Sequence, residues 1–183
     1  MITSSPGIAT RQVTLRRARP DELDSLRALL AAAFVQYDVD LSEALFMRYI
    51  ADLCETAADT EHTIVAEADG RLVGSVRMIP PTTNGGRAGM RALAVLPHER
   101  GSGIGRLLVE RVLDDAARAG ASELLFHTAS FMRSAVELYE RLGFRRAPEF
   151  DLHPSSFSPD FPLPDDFTLL AYRGSLHPTP HHQ

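Results

Sequence analysis

The sequence predicts one domain of mixed α/β class, and three observations carry that reading. An apolar run from Met90 to Pro97 feeds a glycine loop, and the amphipathic run that leaves the loop leads to a second short apolar run, Glu123 to Thr128. That order is strand, loop, helix, strand, a βαβ unit whose crossover should be right-handed. Two β-rich runs, Thr63 to Ala68 and Leu72 to Met78, flank Asp69-Gly70, the dipeptide that suits a two-residue hairpin. At 183 residues and 44% hydrophobic composition, the chain can bury one good core but hardly two.

Taken in order, residues 1–12 are small, polar and without pattern, and read as a flexible leader. Val13-Thr14-Leu15-Arg16 opens the first strand. Pro20-Asp21-Glu22 starts a helix with Leu23, Leu26, Leu30, Ala33 and Phe34 on one apolar stripe. After the polar break at 36–40, Ser42 caps a second helix, with Leu45, Phe46, Tyr49, Ile50 and Leu53 at three-and-four spacing and Tyr49 in the core. The hairpin follows. Pro80 to Gly89, with two prolines and three glycines, reads as a mobile connection. A helix from Gly103 to about Ala119 ends at Gly120, and the strand Glu123 to Thr128 comes next. A helix from Phe131 to Leu142 stops at Gly143, Phe144-Arg145-Arg146 begins another strand, and Phe167 to Tyr172 closes the sheet. Between them, Pro148 to Asp166 holds five prolines and three phenylalanines without period, and reads as a surface or pocket-covering loop. The domain thus spans 13–173. The stretch 174–183, with His177, His181 and His182, reads as a flexible tail rather than a metal site.

Bulk properties exclude several functions. A net charge of −5 with interspersed signs speaks against a nucleic-acid surface and suits a neutral or cationic small substrate. The single cysteine, Cys54, rules out an internal disulfide framework and lies on an apolar helical pattern, so it reads as a buried thiol. A reducing cytoplasm fits that usage. No apolar run nears the ~18 residues of a spanning helix, and the first residues lack the pattern of a signal peptide, so no membrane association is expected.

The loop itself is Arg100-Gly101-Ser102-Gly103-Ile104-Gly105-Arg106. Glycines at alternate positions let the backbone turn tightly and aim several N–H groups into one small volume. The following helix start adds free N–H donors and the positive end of its dipole, which makes a phosphate or pyrophosphate the natural guest. A P-loop would need Lys then Ser or Thr after its last glycine, and Arg106-Leu107 stands there instead. A dinucleotide fingerprint would need glycine at 106 and an acidic residue ending the next strand, where this chain has His127-Thr128. Both are excluded.

With Leu93-Ala94-Val95-Leu96-Pro97 before it and Ala135-Val136-Glu137-Leu138-Tyr139-Glu140-Arg141-Leu142-Gly143-Phe144 after it, the loop reads as Arg/Gln-x-x-Gly-x-Gly/Ala. On these three motifs, in this order, the chain resembles the GNAT superfamily of N-acetyltransferases. The order of elements matches over about Val13 to Tyr172, and the specific part is Leu93 to Phe144. The resemblance implies a central, twisted, mostly antiparallel sheet of about seven strands, with helices on both faces and a βαβ coenzyme A site. It implies acetyl-CoA as cosubstrate and no metal. The pyrophosphate would sit on the amides of Gly101, Ser102, Gly103, Ile104, Gly105 and Arg106, and the pantetheine arm along the backbone of Leu93, Ala94 and Val95. Arg100 and Arg106 are either charge-assisted phosphate contacts or solvated arginines.

The implied chemistry is direct attack of a primary amine on a thioester, with two proton demands. An alkyl amine, with a pKa near ~10.4, must lose a proton, and the departing thiolate gains from a nearby acid. Tyr139 stands at the family position of the tyrosine that protonates the coenzyme sulfur, and phenol at ~10 against thiol at ~8.5 lets it hydrogen-bond that sulfur throughout. Twelve residues earlier, where protein-acetylating relatives carry a glutamate, stands His127, a chemically reasonable base. Glu67 and water are its rivals. Met132 replaces an asparagine that contacts the coenzyme in many relatives, and Ser130 or Ser134 could take over that contact.

In relatives the acceptor pocket is bordered by segments that correspond to Phe34 to Asp40 and Pro148 to Asp166. Tyr37, Asp38, Asp40, Phe157, Asp160 and Asp165 could grip an amine there, or simply face water. The acceptor reads as a small-molecule amine or a peptide N-terminus. The alternative function is a catalytically silent module that binds acyl-CoA for regulation or interaction. Exposed sheet edges leave two options, a homodimer or cover by the proline-rich loop.

Overall fold

The computed structural model describes residues 12–35, 51–55, 57–83, 85–152 and 168–176. Strands are β1 (Val13–Arg17), β2 (Thr63–Ala68), β3 (Arg71–Ile79), β4 (Arg87–Val95), β5 (Glu123–Ala129), β6 (Arg145–Arg146) and β7 (Leu169–Ser175). Helices are α1 (Leu23–Phe34), α2 (Ile104–Arg118) and α3 (Arg133–Arg141), and residues 51–55 are helical as well. All strands join one seven-stranded sheet in the order β1-β2-β3-β4-β5-β7-β6. Every neighbouring pair is antiparallel except β4 with β5, the two strands that flank α2.

Local chemistry explains the entry into this sheet. At the hairpin tip both Asp69 (φ 51°) and Gly70 (φ 72°) take positive φ, the type I′ geometry that matches strand twist. Before α1, a 3₁₀ turn over Pro20–Glu22 is tied down by Glu22, whose carboxylate accepts the Arg19 N–H at 2.8 Å. The same carboxylate receives Arg16 at 2.8 and 2.6 Å, and Arg16 also donates to Glu67 at 2.9 Å. One arginine therefore fastens β1, β2 and the start of α1.

Alternation along β2 shows how the two faces are covered. Ile64, Ala66 and Ala68 pack with Leu108, Val109, Val112 and Ala116 of α2, whereas Val65, on the opposite face, packs with Leu26 of α1. Helices cover both faces, as expected. Leu29, Leu30, Ala33 and Phe34 of α1 continue the second layer against Ala92 and Ala94 of β4 and Leu53 of the helical stretch at 51–55.

A single residue disrupts β4. Opposite Ser75 and Arg77 of β3 stand Ala94 and Arg91, so β4 spends one residue more than its partner, and Ala92 there has φ 53°. Ala88 and Met90 point toward α2, but past the bulge Ala92 and Ala94 point toward α1. On its other side β4 pairs with β5 only at Arg87 and Ala88. Beyond that point the two parallel strands diverge.

Three sequence expectations need correction. The connection read as Pro80 to Gly89 is shorter, because β4 begins at Arg87, where the Arg87 guanidinium holds Glu123 at 2.7 Å. β7 runs beyond Tyr172 to Ser175, and buried Leu176 donates its N–H to Ser122, so the tail read from Gly174 onward starts later. Gly174 packs within the fold: a Cβ there would lie 2.8 Å from the Phe144 ring. Ser42, Leu45, Phe46, Tyr49, Ile50 and the tail histidines lie outside the described residues.

The Arg16 network predicts an acid-sensitive element. Arg16 hydrogen bonds hold the Glu22 carboxyl at a pKa of about 2, below its ordinary value of 4.5. A carboxyl depressed on folding contributes its full stabilisation above the unfolded value and loses it as pH falls toward the folded one. Glu22→Gln should therefore lower the melting temperature at pH 7, and the two proteins should converge as pH drops from about 4.5 to about 2. An equal gap across that range would rule out the pair as the source.

Candidate active site

The glycine loop builds a cradle by backbone shape. Gly101 and Gly103 have φ 79° and 89°, and Gly103 occupies the cap position in front of α2. The first N–H groups of α2 have no intrahelical acceptor and open into a cavity of about 350 Å³. Loop residues Arg100, Gly101, Gly103, Ile104, Gly105 and Arg106 line this cavity, and Leu93, Ala94 and Val95 form its β4 wall. Ser102 does not reach it; its hydroxyl donates to the Glu99 carbonyl at 2.5 Å and pins the turn. The opposite wall comes from α3, through Ser134, Ala135, Leu138 and Arg141, and α1 adds Ala33 and Phe34.

The arginines divide by task. Arg100 donates Nε to the Val95 carbonyl at 3.2 Å and Nη2 to the Ala33 carbonyl at 2.9 Å, tying the loop to β4 and to the end of α1. Arg106 and Arg141 sit at the cavity rim, about two-thirds exposed, with Glu110 at 2.7 Å and Glu137 at 3.6 Å. Both cations stand beside a volume lined with N–H donors, so an anion is the matching guest. The sequence reading missed Arg141. Its signal was positional, a cation in the last turn of the helix that carries Tyr139.

A second cleft of about 360 Å³ shares Phe34, Leu93 and Ala135 with the first. Successive β5 residues Phe126 and His127, whose side chains point to opposite sides of the strand, both contribute to its lining. The cleft therefore runs along the strand edges left unpaired where β4 and β5 part, bordered by Met90 to Leu93 on one side and Leu125 to Ala129 on the other. Both Tyr139 and His127 line it.

Tyr139 is 4% exposed and packed edge-on against Phe126, ring centroids 4.6 Å apart, with Phe144 and Tyr172 at 6.2 and 6.0 Å. Such packing fixes the ring. His127 is half-buried, and its Nε2 lies 2.8 Å from the Phe150 carbonyl. A carbonyl can only accept, so in the neutral imidazole Nε2 bears the proton and Nδ1 keeps the lone pair. Among the rival bases, Glu67 is held by Arg16 and lines neither cleft.

Other candidates separate as cleanly. Met132 caps α3 and lines the second cleft, where the Thr128 hydroxyl approaches its sulfur at 3.9 Å; Ser134 lines the first cleft and Ser130 lines neither. Burial pushes the Cys54 thiol up, against a smaller opposing pull from Arg27, which disfavours a thiolate nucleophile. Tyr37, Asp38, Asp40, Phe157, Asp160 and Asp165 lie outside the described residues.

The cradle yields a stability prediction. No atom lies within 4 Å of a Cβ added at Gly103, so Gly103→Ala meets no clash and its cost is the left-handed backbone alone. It should amount to about 1–2 kcal/mol, read as a lower denaturant midpoint at unchanged slope. An unshifted midpoint would mean the loop relaxes out of this conformation.

The chain is 35% identical over 96 residues to the IAA acetyltransferase of Azospirillum brasilense, covering 52% of this chain and 62% of that one. It is 32% identical over 164 residues to the mycothiol acetyltransferase of Nocardia farcinica, covering 87% of this chain and 50% of that one. The chain thus spans half to three-fifths of the length of these relatives. Among solved structures, the PaiA N-acetyltransferase of Thermoplasma acidophilum in complex with coenzyme A superposes with a TM-score of 0.69 at 14% identity, over 90% of this chain and 99% of that one. The model of the acetyltransferase (GNAT) family matches residues 23–144, and the chain belongs to that family.

Proposed function

We propose that this chain is an acetyl-CoA-dependent N-acetyltransferase that acts by direct transfer on a primary amine of a small molecule or a peptide N-terminus. The observation that carries this reading is the junction of the two clefts at Phe34, Leu93 and Ala135, with an anion cradle on one side and Tyr139 and His127 on the other. The residues present fit the cosubstrate. Cβ-free loop positions admit a pyrophosphate against the first amides of α2, and Arg106 and Arg141 supply charge at the rim. Leu93 to Val95 border the divergence from β5, where an extended amide-bearing arm can add as a short pseudo-strand. When bound, acetyl-CoA supplies the thioester.

The chain's own groups answer the two proton demands. Nδ1 of His127 is the basic nitrogen of a ring fixed by the Phe150 carbonyl, so it accepts the proton that the attacking amine must lose. Tyr139, held rigidly across the cleft, donates toward the departing sulfur. The lining suits an amine carried on an apolar body: its one Lys, Arg, Asp or Glu side chain among the described residues is Arg91, paired with Asp52 at 2.9 Å.

Release of free thiol from acetyl-CoA across a panel of amines and peptides tests the activity. Coenzyme binding without thiol release for any acceptor would replace this reading by the silent acyl-CoA module. Tyr139→Phe should lower kcat by roughly 100-fold with little change in coenzyme affinity. Unchanged turnover would remove Tyr139 as the acid. His127→Gln should lower the rate and abolish the acidic limb of the pH–rate profile, and its persistence at wild-type rate would dismiss the base.

A further inference from the structure

The His127 ring is oriented by a backbone carbonyl, and that carbonyl belongs to a short turn held in an unusually complete way. The 3₁₀ turn Pro148–Phe150 follows β6 and precedes the bridge between Leu152 and β7 residue Leu169. Asp151, at its end, receives both Nη atoms of Arg146 at 2.8 and 2.7 Å and accepts the Ala171 N–H at 2.7 Å. Arg146 also donates to the Ala171 carbonyl at 2.5 Å. On the other side of the turn, the Arg87 guanidinium lies 4.6 Å from the centre of the Phe150 ring and is itself bonded at 2.7 Å to Glu123 of β5, the strand that carries His127. A bidentate pair, a backbone bond and a cation–π contact thus converge on two residues, Asp151 and Phe150, neither of them fully buried.

We propose that Arg146 and Asp151 are positioning residues for the reaction: they clamp the turn so that the Phe150 carbonyl takes the proton-bearing nitrogen of His127 and leaves Nδ1 as the base. The inference rests on the reading of His127 as the base. Asp151 is a carboxylate held below its usual range chiefly by Arg146, so the pair stays charged and closed at neutral pH. The clamp also reaches the acid. The Arg146 guanidinium lies 5.3 Å from the Tyr172 ring centre, and the Tyr172 hydroxyl donates at 3.1 Å to Glu140, the neighbour of Tyr139 on α3.

The test reads the tautomer directly, in full-length protein carrying ¹⁵N-labelled histidine, by long-range ¹H–¹⁵N correlation, with His127→Gln to assign the ring. Wild type should show His127 as the Nε2–H tautomer. Asp151→Ala should give mixed tautomers and lower kcat by ~10-fold, with KM for acetyl-CoA unchanged. If that variant does not fold, Asp151→Asn, which keeps an acceptor for Ala171 but loses the charged pair, should show the same trend more weakly. A pure Nε2–H pattern in a folded variant overturns the clamp. Mixed tautomers with wild-type kcat uphold the clamp and overturn His127 as the base, so the two failures are distinguishable.

Discussion

At Ala92 the β4 backbone takes a positive φ, and opposite Ser75 and Arg77 it spends one more residue than β3 does. A conformation that disfavours any side chain with a Cβ persists only if the surroundings over-determine it. Here the small methyl of Ala92 is buried in the α1 layer, between a strand on one side and an opening on the other. The consequence reaches far beyond one residue. Without the extra residue Leu93 and Val95 would exchange faces with Ala94, and the wall of the first cleft would present a different set of side chains. The parallel pairing of β4 with β5 ends two residues after it begins, and both clefts draw on the β4 edge left beyond it, the second on β5 as well.

Charge is used mainly to tie elements together. Arg16 fastens β1, β2 and the approach to α1; Arg87 joins the starts of β4 and β5; Arg100 joins the loop to β4 and α1; Arg146 joins β6, β7 and the turn beyond. Pairs of this kind at partly exposed positions add little to stability one by one. Their effect is geometric, because a planar guanidinium with several donors fixes the separation of the elements it bridges. A chain with a net charge of −5 therefore still gathers a pair of rim arginines beside the amides of the loop at one cleft.

Features set by local chemistry were legible in the sequence. Asp69-Gly70 announced its hairpin because a type I′ turn has few tolerated residues, and the glycines of the loop announced a left-handed backbone for the same reason. Leu93, Ala94 and Val95 were readable as a cleft wall only through the motif that follows them. The bulge at Ala92 had no local signal, since alanine is ordinary in a strand. The sequence places the end of β7 too early, because the contact that makes Gly174 part of the core, the Phe144 ring beside it, is distant in sequence. Ala33, Phe34 and Arg141 enter the first cleft from elements distant in sequence, and the partner of His127 is a main-chain carbonyl, which no residue type could advertise.

Tyr139 and His127 lie on opposite sides of β5, yet both line the second cleft. Phe126 carries the packing that fixes Tyr139 on the α2 side, while the next residue, His127, projects toward the side where the Phe150 carbonyl waits. Adjacent strand residues cannot share a face, so an intact ladder between β4 and β5 would separate the two groups by the thickness of the sheet. Divergence removes the ladder at that point and leaves a passage lined by both. The phenol of Tyr139 and the imidazole of His127 then border one cleft, the first oriented by ring packing and the second by a hydrogen bond.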